Sequence, residues 1–312
     1  MTSSADEGVI STNDDAASCK RFATHLQYWR DDYIQHFVRK LPERKTPEIS
    51  RGYYIRVYAM RELVSKFLDV TECDCQIVNL GAGFDTLFWN LHDVGKIPKG
   101  GFYEIDMKPV TQRKIMAIKT RPQLQKVFQE GFKYEGGELH SKTYHLLDAD
   151  LRNVSGMDEK LVAAGLDKSK PTLFICECLL VYLQPDHTES LFNYINSNYS
   201  SCMVLDYDPV NLGDRFGQIM IQNLRGRQCA LLGAHPTLDS KISSFRSAGF
   251  ESVQSKLLLA VYNELPYTEK CRVESLEFLD EVDLLYSLLE HYAISVAYTD
   301  RTNTGFNRVH NM

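Results

Sequence analysis

Val78-Asn79-Leu80-Gly81-Ala82-Gly83-Phe84-Asp85-Thr86 is the stretch whose reading decides the fold. It ends the apolar run 75–80 and leads into the helical stretch DTLFWNLHDVG (85–95), so it reads as a strand, a glycine turn and a helix start. Glycines at such a turn let a ligand approach the backbone, and the helix start offers unpaired N–H groups. A second apolar run, 101–107, ends in Glu104-Ile105-Asp106. An acidic side chain at that place in a strand–helix–strand unit accepts hydrogen bonds from a ribose.

Two ligand classes fit this geometry. A dinucleotide prefers glycine at the third position of G-x-G-x-x-G, where Thr86 stands, and Asp85 adds a carboxylate beside the phosphate position. That carboxylate is tolerable for S-adenosylmethionine, whose amino-acid end carries an ammonium. The plainer alternative is that Asp85 caps the helix and the glycines only make a tight turn.

Outward from the glycine turn, strands and helices alternate. Further strands are expected at 142–151, 172–183 and 202–208, with helices after each of the first two and at 109–121. Such alternation implies an α/β fold with a mostly parallel sheet. The rhythm breaks at 209–249, read as a late insertion with a helix over 214–232. Residues 251–265, a helix over 274–290 and a closing strand over 291–299 complete the sheet. Upstream, the apolar spacing predicts a helix from Lys20 to Leu41, closed by Pro42, and a second one capped by Ser50. Residues 1–18 are polar and acidic and read as a disordered lead-in, leaving 19–312 as one domain. It divides into a helical cap (19–70), a core (71–208), the insertion or lid (209–249) and the C-terminal part of the sheet (250–312).

Charged residues inside apolar patterns mark the candidate site. Asp148 and Asp150 follow an apolar strand, and Leu151 could pack on a ring that Asp150 hydrogen-bonds; a turn cap is the alternative for Asp150. Glu177 is embedded in Leu173 to Leu180, a costly place for a carboxylate without a cation or donor; the plainer alternative is a buried partner to some arginine. Arg56 and Arg61 both intrude on the apolar arc of their helix, and the wheel alone does not choose between them.

The chain has 312 residues, with 35 Lys+Arg against 41 Asp+Glu and a net charge of -6, which gives no general attraction for nucleic acid or anionic membrane. No apolar run approaches the roughly 18 residues of a membrane span, and the N-terminus lacks a signal pattern; a cytoplasmic protein is expected. Cys73/Cys75 and Cys176/Cys178 lack C-x-x-C spacing, so buried free thiols are expected and no metal.

CKRFA (19–23), YIQHFVR (33–39), RGYYIRV (51–57), IVNLGAGFDT (77–86), ADLR (149–152), CECLLVY (176–182), GDRFGQIMIQNL (213–224) and ESLEFLDE (274–281) resemble the leucine carboxyl methyltransferase family, in order and over residues 19–291. The resemblance implies a class I S-adenosylmethionine-dependent methyltransferase fold, Rossmann-like with an antiparallel last strand. It also implies methylation of the C-terminal leucine carboxylate of the protein phosphatase 2A catalytic subunit, a modification regulating holoenzyme assembly. By motif, Lys20 and Arg56 would hold the methionine carboxylate, beside Gly81 of the glycine turn. Asp106 would take the ribose, Asp150 and Leu151 the adenine, and Glu177 would lie by the methionine. Tyr182 and Arg215 are candidates for the substrate pocket, with Arg225 and Arg227 as further carboxylate partners. The related tRNA wybutosine methyltransferases append a kelch-repeat region; its absence here and the acidic charge favour a protein substrate. A nicotinamide oxidoreductase and a catalytically silent phosphatase adaptor are the competing readings. A terminal carboxylate, with a pKa near 3.3–3.7, is already ionised at neutral pH, so no general base is required.

Overall fold

The computed structural model describes residues 4–40 and 43–309. Its centre is a sheet of β1 (Gln76–Leu80), β2 (Phe102–Asp106), β3 (Lys133–Glu135), β4 (Glu138–His140), β5 (Tyr144–Asp148), β6 (Thr172–Glu177), β7 (Ser201–Pro209), β8 (Ser252–Leu257) and β9 (Tyr292–Asp300). The strand order is β3-β4-β5-β2-β1-β6-β7-β9-β8. β5, β2, β1, β6 and β7 run parallel, and β9 is antiparallel to both β7 and β8. This is the α/β sheet with an antiparallel last strand that the sequence implies.

The central strands are buried on both faces, and their alternation sorts them into two cores. Ile77, Phe102, Leu173 and Ile175 face one core; Val78, Leu80, Tyr103, Ile105, Phe174 and Cys176 face the other. The first core is covered by α3 (Pro47–Val70), α4 (Leu87–Asp93) and part of α5 (Lys108–Thr120), joined by a short α6 (Pro122–Gln125). The second is covered by α7 (Val154–Ala163) and α8 (Pro185–Asn198). The order reverses at β1, whose neighbours lead away in opposite directions, so the crevice at its carboxyl end is where an open α/β sheet binds ligands.

Several expected elements differ. Residues 4–18 are not irregular but most of a 22-residue helix, α1 (Ser4–His25). The expected helix over 20–41 is instead the end of α1, a turn and a short α2 (Ile34–Phe37); Leu41 and Pro42 lie outside the described residues. α3 begins at Pro47, whose fixed φ suits the first helical position, so Ser50 lies inside the helix rather than capping it. The apolar run 172–183 divides where Cys178 takes a left-handed φ of 58°: β6 ends, and a 3-10 turn over Leu180–Tyr182 follows. The insertion holds α9 (Arg215–Gly226), shorter than expected, and α10 (Leu238–Ser247), capped by Thr237. Residues 251–265 split into β8 and α11 (Leu258–Asn263). The helix expected over 274–290 is the end of α12 (Tyr267–Leu276) and a separate α13 (Val282–Glu290). The antiparallel β3–β4 hairpin was not anticipated, although Gly136-Gly137 is a hairpin-turn pair.

α10 is fixed to the sheet by a buried ion cluster. Lys241 Nζ lies 2.7 Å from Asp206 and 3.3 Å from Asp208 of β7, all three buried. Burial raises Asp208, and Asp206 adds to it; Lys241 opposes both effects.

Candidate functional site

The glycine turn bends because both glycines adopt left-handed conformations, Gly81 at φ 65° and Gly83 at φ 52°. Space is as restrictive as torsion. A Cβ on Gly81 would lie 2.8 Å from Leu179 Cδ1, and one on Gly83 2.5 Å from Asn13 Oδ1. Asp106 at the end of β2 accepts from Gly83 N at 2.7 Å, and Asn13 of α1 accepts from Phe84 N at 2.7 Å. Asp85 accepts from the backbone of Thr86 and Leu87 and from Asn79 Nδ2, so it does work at the helix start. Its own carbonyl accepts from the buried Lys114, 2.9 Å away. Lys114 in turn pairs with Glu104 at 2.5 Å, fully buried on β2. Burial pushes the Glu104 carboxyl up to about 7, with Lys114 holding it from rising further.

Glu177, at the carboxyl end of β6, meets two cations. Its Oε1 is 2.8 Å from Lys20 Nζ of α1 and 2.5 Å from Arg56 Nε of α3. Burial opposes ionisation, but Lys20 and Arg56 overcome it and hold the carboxyl at about 2. The Arg56 guanidinium lies over the rings of Tyr207 and Tyr53, 4.7 and 5.3 Å from their centroids. Arg61, the other intruder on this helix, turns elsewhere, to Asp31 and the carbonyl of Arg30. The helical wheel could not separate the two; the position of the Glu177 carboxylate does.

One cavity of about 550 Å³ joins these groups. Lys20, Arg56, Gly81, Asp106, Asp150, Leu151, Glu177 and Tyr182 all line it. Asp150 carries the alternative role too: it accepts from Arg152 N and pairs with the Arg152 guanidinium, which keeps its carboxyl low. Leu151 is buried against the second core. The Tyr182 hydroxyl lies 3.7 Å from Cys178 Sγ. Of the insertion arginines only Arg227 lines the cavity, paired with Asp15 of α1 at 2.8 Å. Arg215 and Arg225 are exposed and do not line it.

The sequence reading missed the wall that α1 provides, including Val9, Asn13 and Cys19, and the apolar wall of Leu258, Leu288, Leu289 and Tyr292. Asn13 carries no local signal, because its function exists only across 71 positions of chain. Lys114 could have been found as a lysine on the apolar arc of α5. The eight cysteines are free, and no cluster of three metal-ligating side chains occurs among the described residues.

The donor set suits S-adenosylmethionine. Lys20 and Arg56 against Glu177 leave one net positive charge for a carboxylate, and the two tight glycines leave no room for a side chain beside it. The family model for leucine carboxyl methyltransferase matches residues 8–196. Leucine carboxyl methyltransferase 1 of Bos taurus is 42% identical, with 99% of this chain and 95% of that protein aligned. The tRNA wybutosine-synthesizing protein 4 of Rattus norvegicus is 33% identical over 93% of this chain but only 44% of its own length. A solved structure from Thermobifida fusca YX, described as that of a methyltransferase, superposes with a TM-score of 0.54 at 16% identity, covering 80% of this chain and 82% of that one. The fold is that of the class I methyltransferases. The chain belongs to the leucine carboxyl methyltransferase family and is an S-adenosylmethionine-dependent methyltransferase.

Proposed function

We propose that the chain methylates the α-carboxylate of the C-terminal leucine of the protein phosphatase 2A catalytic subunit, in the cytoplasm, and thereby regulates assembly of the phosphatase. The observation that carries this reading is the cavity itself. Its cationic end lies at Lys20, Arg56 and Glu177, and its apolar wall at Leu258, Leu288 and Leu289 suits a leucine side chain. The higher identity to the Bos taurus leucine carboxyl methyltransferase, 42% against 33% for the Rattus norvegicus tRNA protein, supports a protein substrate.

S-adenosylmethionine supplies, when bound, a methyl group on a positively charged sulfur. Lys20 and Arg56 would take its carboxylate, with Gly81 leaving the backbone open to it. Asp106 would take the ribose, Asp150 and Leu151 the adenine, and Glu177 the amino-acid end. Glu177 stays ionised at any working pH, because its two cations hold its pKa at about 2. The substrate carboxylate needs no base, and no side chain here has to remove a proton. The chain's contribution is to hold the carboxylate in line and keep water from it, and orientation of this kind contributes up to about 7–11 kcal/mol in well-aligned systems. The insertion, residues 209–249, would serve as the lid over the substrate with Arg227 as its charged cavity-side contact, and Tyr182 of the 3-10 turn would line the substrate pocket.

The test uses labelled cofactor with intact, leucine-deleted and Leu-to-Ala phosphatase subunits, read as base-labile label. Label should appear on the intact subunit and vanish with the deletion. Equal labelling of the deleted form, or label stable to mild base, would refute the carboxyl-methyl reading.

A further inference from the structure

Among the described residues, five cations line the cavity: Lys20, Lys45, Arg56, Arg152 and Arg227. Four are matched by carboxylates. Lys20 and Arg56 share Glu177, Arg152 holds Asp6 and Asp150, and Arg227 holds Asp15. Lys45 makes no hydrogen bond or ion pair among the described residues.

Lys45 stands half-buried on the connection just before α3. Its charge is felt inside the site. Burial pushes the Cys19 thiol up, and among the charges that act on that thiol Lys45 pulls back most strongly. Cys19 adjoins Lys20 and also bonds to Tyr53, the ring beneath Arg56. The unmatched ammonium therefore lies on the wall that carries the Glu177 cluster. A cation partly withdrawn from water with no partner is unfavourable and is stabilised by an anion. The net positive charge at Lys20 and Arg56 is matched once by the carboxylate of the cofactor. A second carboxylate, that of the substrate, calls for a second cation.

We propose that Lys45 is the residue that receives the terminal carboxylate of the protein substrate and so makes a free C-terminus a requirement. The assignment rests on the carboxyl-methylation reading above. A lysine suits the task better than an arginine. A compact ammonium can hold one carboxylate oxygen and leave the other free to attack, whereas a guanidinium fork engages both.

The experiment measures binding of the phosphatase catalytic subunit, with a free or an amidated C-terminus, to the full chain loaded with S-adenosylhomocysteine. The wild type should prefer the free carboxylate by about tenfold or more, the scale of one charge-assisted bond. Equal binding of both forms by the wild type would overturn the carboxylate reading itself. In Lys45→Gln the preference should fall to near parity, with the melting temperature and the cofactor affinity unchanged. A Lys45→Gln protein that keeps the wild-type preference, or that loses cofactor affinity as well, would overturn the assignment to Lys45 while leaving methylation standing. Lys45→Arg should restore the preference and a wild-type KM but lower kcat; full restoration of kcat would refute the one-oxygen argument.

Discussion

Replacing Glu177 by glutamine keeps the shape of the side chain and removes its charge. Lys20 and Arg56 then face each other without an anion, both largely buried. The magnitude follows from the carboxyl itself, held at about 2 against an ordinary value of 4.5. At about 1.4 kcal/mol per pKa unit, the native ionisation contributes roughly 3 kcal/mol at neutral pH. This agrees with the about 3–5 kcal/mol expected when one partner of a buried ion cluster is removed. For a chain of this length, that is a fall in melting temperature of about 5 °C. The sign with pH is fixed by the depressed pKa: the contribution is complete above the unfolded value near 4.5 and disappears as pH falls toward 2. The gap between wild type and variant should shrink to about 2 kcal/mol at pH 3.5. Urea unfolding at pH 7, 5, 4 and 3.5 reads this directly. A variant as stable as wild type at pH 7, or a gap that does not narrow with acid, would refute the cluster as described. Changing Arg56 to Met in the Glu177→Gln background should recover part of the loss, because it removes the stranded cation.

Arg56→Ala should weaken S-adenosylmethionine binding by about 1.5–3 kcal/mol, measured by calorimetry on folded protein; unchanged affinity would remove Arg56 from the cofactor site. Asp106→Ala takes away the acceptor for Gly83 N as well as the ribose contact, so affinity for the cofactor and for its demethylated product should fall together. Lys241→Met leaves Asp206 and Asp208 buried side by side without a cation and should cost about 3–5 kcal/mol in denaturant unfolding. Methylation rate should be nearly flat from about pH 6 to 8, because the substrate carboxylate stays ionised; a steep rise across that range would indicate a titrating base.

What could be read from the sequence is what breaks a local pattern. Gly81 and Gly83 interrupt an apolar run, and Asp106, Asp150 and Glu177 stand where apolar side chains should continue; all five reach the cavity. The strands were legible because burial on both faces leaves continuous apolar runs. The helix α1 was not. Its residues 6–16 bury only Gly8, so there is no apolar stripe to detect, and its position depends on partners far along the chain. The same holds for Arg227 against Arg215 and Arg225. All three are arginines on or beside one amphipathic helix, and only Arg227 is paired across the cavity wall, with Asp15, 212 positions away. Ends of elements were least legible where a left-handed residue such as Cys178 stops a strand inside an apolar run.

α1 gives the cavity walls of two different kinds. One is built from strand ends whose neighbours are locked in the sheet. The other is a polar helix tied down through Asp6 to Arg152, Asp14 to Arg113 and Asp15 to Arg227. Near-surface ion pairs contribute little individually, and dissolved salt screens them. A helix held this way is tied to the rest of the fold along residues 6–15 by contacts that salt weakens, with no part of the sheet involved. Ionic strength should then act on one wall and not the other: salt weakens the pairs made by Asp6, Asp14 and Asp15, while the strand ends and the buried Lys20–Glu177 pair are left nearly untouched.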